Sequence, residues 1–111
     1  MTNPLLGVAL ALCLLSASAP AAAGFESGEV LAGLCRQPAP ICLAYLEGVV
    51  DGAEAMEWEQ VVSGLCIPEQ VDSMQLRQIF LDYAERHDEL LKLPAGLLVL
   101  DALKQAWPCR P

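Results

Sequence analysis

One histidine, five cysteines and fourteen acids are the residues of this chain that could do chemistry. His87 ends a helical pattern on its apolar side, where packing near a helix C-terminus accounts for it. A nucleophilic cysteine needs a base, and the chain offers no second histidine for that work. The carboxylates are many, yet no pair stands apart as acid and base. There is no phosphate-cradling glycine loop and no metal-ligand spacing. The residues therefore point away from an enzyme, and imply no cofactor and no metal.

The densest acidic stretch is Glu47, Asp51, Glu54, Glu57 and Glu59, with Trp58 among them. Like charges four apart on a helix repel, so Glu47 and Asp51 stabilise nothing locally. Two readings follow. One is a solvated face. The other is a partner-binding surface with Trp58 as its anchor.

The cysteines depend on compartment. Pro4 to Ala23 carries no charge, Leu5 to Leu15 is almost wholly apolar, and small residues then lead to Ala21-Ala22-Ala23 before Gly24. This is the pattern of a secretory signal peptide over 1–23, although no Lys or Arg precedes Leu5. Its apolar core is short for a bilayer span of about 20 residues. Cys13 belongs to the signal. The domain is then 24–111, exported, with no membrane contact expected after cleavage. Its four cysteines, Cys35, Cys42, Cys66 and Cys109, read as two disulfides, with three connectivities to choose from. A zinc site of four thiolates is the rival, but no C-x-x-C pair is present and the compartment is oxidising. The net charge of −8 argues against nucleic acid and suits a soluble protein with a basic partner.

Four helices must position these groups. Ser27 caps the first, with Glu29 in its first turn and Val30, Leu31, Leu34 and Cys35 on its apolar side. Arg36-Gln37-Pro38-Ala39-Pro40 makes a stiff corner, and Pro40 suits the first turn of the second helix. The corner brings Cys35 to Cys42. Asp72-Ser-Met-Gln75 has capping-box spacing, with Val71 and Leu76 placed for a hydrophobic staple. The third helix runs from about Ser73 to about Glu89. Pro94 opens the fourth, which runs to Trp107 and stops at Pro108. Ala95, Leu98, Val99, Ala102 and Ala106 form one apolar side of it; Leu97, Leu100 and Trp107 form another. Cys109, just past its end, is free to reach Cys66. No stretch alternates with period two, so the fold class is all-α: a small disulfide-stapled domain of four helices.

The second helix sorts into three faces. Cys42, Tyr45, Leu46, Val49, Ala53 and Met56 share an apolar arc. Glu47, Asp51, Glu54 and Trp58 lie opposite. Ala44, Gly48, Gly52 and Ala55 form a ridge of small residues. Two helical glycines cost about 1 kcal/mol each against alanine, so the ridge predicts close approach of another helix. That helix belongs either to the same subunit or to a second copy.

The ordered motifs resemble the Rap/Tai immunity proteins of type VI secretion. The resemblance runs from Cys-Leu-x-Tyr-x-x-Gly-x-x-Asp (Cys42 to Asp51) through Cys66-Ile-Pro68, Gln75-Leu76 and Tyr83 to His87. It closes on Trp107-Pro-Cys109. Ala44, Asp72 and Asp88 depart from the family's usual Gly, Thr and Pro. The resemblance implies a periplasmic helical protein, often a homodimer, that occludes the Cys-His active site of a peptidoglycan amidase and catalyses nothing itself. The alternative is a structural or housekeeping periplasmic protein without a toxin partner.

Overall fold

Four α-helices make up the residues described by the computed structural model, 26–58 and 64–110. The expected signal peptide, Glu59 and the segment 60–63 lie outside them. Helix α1 spans Gly28–Cys35, α2 Pro40–Trp58, α3 Ser73–Arg86 and α4 Ala95–Ala106, with a 3₁₀ turn at Asp88–Leu90 between the last two. No strand occurs among the described residues; two isolated antiparallel bridges pair Ser27 with Pro94 and Leu65 with Pro108.

Local chemistry sets the helix starts. Ser27 Oγ accepts the Val30 N–H at 3.3 Å, satisfying one orphan donor of α1. At α3 the capping box is complete. Asp72 Oδ1 accepts from Gln75 N at 2.8 Å, and Gln75 Oε1 accepts from Asp72 N at 2.9 Å. The C-terminus of α1 is satisfied from a distance. The Arg77 guanidinium, on α3, donates to the carbonyls of Cys35 at 2.7 Å and Arg36 at 3.0 Å. A cation on these last carbonyls also complements the helix dipole.

Each helix turns an apolar side to one core. Leu31 and Cys35 meet Cys42, Leu46 and Ala53 of α2; Leu76, Phe80 and Tyr83 come from α3; Ala95, Leu98, Val99, Ala102 and Leu103 come from α4. Burying a leucine or phenylalanine here stabilises by about 1.5–3 kcal/mol before entropy is charged against it. Helix α3 packs on all three others.

Both ends of the domain are sewn to interior segments. Gly28 N donates to Leu93 O at 2.9 Å, Glu29 N to Leu91 O at 2.8 Å, and Ala95 N to Glu26 O at 2.7 Å. Near the other end, Cys66 N donates to Trp107 O at 2.9 Å and Cys109 N to Gly64 O at 3.3 Å. Disulfides join Cys35 to Cys42, with Cα atoms 5.1 Å apart, and Cys66 to Cys109, 4.9 Å apart. On a chain-entropy account, bridges spanning 7 and 43 positions contribute about 2–3 and about 4 kcal/mol.

Three expectations are corrected. Helix α3 ends at Arg86, not Glu89: His87 adopts φ −131° and ψ 45°, leaves the helix, and donates its N–H to Tyr83 O. The residues after it tighten into the 3₁₀ turn. Met56 and Ala106, assigned to apolar faces, are exposed. Among the described residues no neighbouring helix packs on the glycine ridge. A Cβ added at Gly48 or Gly52 would meet nothing within 4 Å among the described residues. The crowded glycine is Gly28, at the start of α1. A Cβ there would run into the Leu98 side chain and lie 3.2 Å from the Leu91 carbonyl oxygen.

Candidate partner-binding surface

Helix α2 carries Glu47, Asp51 and Glu54 on its exposed side, because the same helix buries Cys42, Leu46 and Ala53. Of the other predicted site residues, Glu57 and Trp58 belong to the last turn of α2, and Glu59 lies outside the described residues.

Glu47 and Asp51 are joined by residues from another element. They edge a depression of about 290 Å³ with Asp72 and Ser73 at the start of α3, and Val50, Val71 and Leu76 complete its lining. The Ser73 hydroxyl donates to Glu47 Oε1. Three carboxylates therefore stand around a partly apolar hollow. The contact between a basic side chain and a carboxylate found among the described residues lies elsewhere, between His87 Nδ1 and Glu89 Oε1 at 3.8 Å. Uncompensated like charge at one surface creates a field that favours a basic partner and speeds its approach. An apolar lining with a carboxylate rim suits a long side chain with a cationic head.

Asp72 and Ser73 were missed as surface residues because their local role is complete in itself. A capping box with Gln75 explains Asp72 without any neighbour, and Ser73 is simply the first residue of α3. The contact that recruits Ser73 spans 26 positions, and no sequence periodicity reports it.

A second polar cluster lies at the α3–α4 seam. The Tyr83 hydroxyl donates to Asp101 Oδ2 at 2.6 Å. Burial first, then the hydrogen bond and negative charge of Asp101 and the charge of Glu89, push the Tyr83 phenol up to about 12. It is thereby held protonated as a fixed donor. The His87 ring packs against the Tyr83 ring, with centroids 4.5 Å apart and planes inclined at 41°. This is a packed histidine, as its place at the end of the helical pattern predicts. All four described cysteines are in disulfides, so none supplies a thiolate. No group of side chains among the described residues could hold a metal ion.

A further surface feature is apolar. Leu97 and Ile41 are each 60% exposed. Leu97 lines a shallow hollow with Tyr45, Pro94 and Gly96. Among the described residues no helix is long and apolar enough to cross a membrane.

Residues 27–109 match the family model of the Rap1a immunity proteins. No curated protein and no solved structure matches the chain.

Proposed function

This chain belongs to the Rap1a immunity proteins, and on that premise we propose that it binds and occludes a peptidoglycan amidase delivered by type VI secretion. It acts in the periplasm, as the domain 24–111 left after removal of a signal peptide. The observation that carries the reading is a family match running from the Ser27 cap to the last cysteine, Cys109. Two disulfides fit an oxidising compartment. An immunity protein needs a surface rather than an active site, and the α2 face supplies one.

The acidic side of α2 faces the effector. Glu47, Asp51 and Glu54 steer it, the hollow beside Asp72 receives a basic side chain, and Trp58 anchors the contact with its neighbours Glu57 and Glu59. Rim charges govern encounter, whereas a buried anchor governs dissociation. The protein is also a homodimer, held through the open Gly48/Gly52 ridge or through the apolar surface around Leu97.

The test uses the amidase encoded nearest this gene. The parent protein should bind it and protect cells expressing it in the periplasm. Glu54→Lys should slow association, most at low salt. Trp58→Ala should accelerate dissociation and cost about 2 kcal/mol or more. If the parent binds but both variants behave like it, the face is merely solvated and the Leu91-Lys92-Leu93 connection is the next surface to probe. If the parent neither binds nor protects, the protein is an envelope protein without that partner.

A further inference from the structure

We propose that the Cys66–Cys109 bridge is a redox-sensitive clasp that opens in the folded protein while Cys35–Cys42 stays shut. The inference is independent of the partner. It rests on how differently the two bridges are placed. Cys35 and Cys42 are both 0% exposed. They sit at the end of α1 and in the first turn of α2, within the core, and Arg77 closes over the carbonyls of Cys35 and Arg36. A reductant reaches them only if α1 parts from α2. Cys66 is exposed and Cys109 half-buried, and neither lies in a helix.

The chemistry is thiol–disulfide exchange with a dithiol. A reagent thiolate attacks Sγ of Cys66, and Cys109 leaves as a thiolate that takes a proton. The second reagent thiol, deprotonated, attacks the reagent sulfur of the mixed disulfide and expels Cys66. Two electrons pass from the dithiol, which ends as a disulfide, to the bridge, which ends as two thiols. Access decides which bridge enters this sequence.

Opening this bridge breaks no helical hydrogen bond. The segments it joins remain held by the pairings of Cys66 with Trp107 and Cys109 with Gly64, and by buried Leu65. What it removes is the covalent limit on their separation. The approach to α3 then opens and closes locally, as low-stability segments do. Redox state thus sets how tightly the C-terminus holds the base of α3.

The experiment treats the native protein with dithiothreitol, quenches aliquots with an alkylating reagent and maps the adducts by mass, with circular dichroism in parallel. A species labelled at Cys66 and Cys109 should accumulate at least ~10-fold faster than labelling of Cys35 and Cys42, with the helical signal retained. Labelling of all four together, labelling of Cys35 and Cys42 first, or loss of the helical signal with the first pair overturns the proposal. A Cys66→Ser/Cys109→Ser variant should fold and keep its remaining bridge resistant to the same reagent. Failure of that variant to fold overturns it equally.

Discussion

Removing one oxygen from Tyr83 tests the polar seam between α3 and α4. The ring is almost fully buried and its hydroxyl donates to Asp101 Oδ2 at 2.6 Å. Asp101 itself is exposed, so Tyr83→Phe leaves no orphaned buried group. The cost at pH 7 is then that of one hydrogen bond to a charged acceptor, about 1.5–3 kcal/mol. In a domain of this size the loss lowers Tm by roughly 6–24 °C. The pKa sets a different quantity: a rise from 10.0 to about 12, led by burial, corresponds to about 2–3 kcal/mol of stability lost once the phenol ionises.

The pH dependence gives the sharper readout. Below pH 10 the phenol keeps its proton in folded and unfolded chains, and the full contribution is present. Between about pH 10 and 12 the unfolded chain releases that proton while the folded chain retains it, so stability falls as pH rises. Urea unfolding of parent and Tyr83→Phe should show a gap that is constant up to about pH 10 and narrows above it. Other groups titrating in this range act on both proteins and cancel in the comparison. A gap that stays constant through pH 11.5, or no gap at pH 7, refutes the assignment.

Other substitutions separate crowded from open positions. Gly28→Ala should destabilise by about 1–3 kcal/mol, read as a lower urea midpoint, because the new methyl meets Leu98 and a backbone that cannot yield. Gly48→Ala should instead stabilise by up to about 1 kcal/mol, since no described residue obstructs it and alanine favours the helix. Gly48→Leu should leave the subunit folded, so sedimentation at micromolar concentration reads association alone; a weaker dimer assigns the contact to the ridge. Arg77→Ala should cost about 1–3 kcal/mol in thermal unfolding by removing two bonds to the last carbonyls of α1.

The fold was legible where a local rule decides the outcome. Ser27, Pro40 and Asp72 each start a helix through their own backbone preference or side chain. Cys35 and Cys42 are forced together by a short proline corner, so their pairing could be read without tertiary knowledge. Legibility failed where partners are distant. Nothing in the sequence around Arg77 shows that its guanidinium closes α1, 41 and 42 positions away. Gly48 and Gly52 have the spacing of a packing ridge, but spacing does not say on which side the neighbouring helices stand. Gly28 looked unremarkable because its crowding comes from Leu91 and Leu98. The acidic face followed the same division. Glu47 and Asp51 could be placed opposite the buried arc from periodicity alone, whereas their neighbours Asp72 and Ser73 required the fold.

The backbone seams at the two ends also bear on when the domain can form. A chain that emerges N-terminus first presents Glu26 to Glu29 long before Leu91 to Ala95, the segment they bond to. Gly64 to Cys66 likewise wait for Trp107 to Cys109. Until Leu91 to Leu93 emerge α1 lacks its N-terminal partners, and for much of that time the Arg77 contacts at its other end. An eight-residue helix is too short to persist by itself. The emerging chain therefore closes its first seam only when Leu91 to Ala95 are made, and its second only when Trp107 to Cys109 follow. Removing only the residues from Trp107 onward would leave most of the core side chains present yet the molecule unfinished.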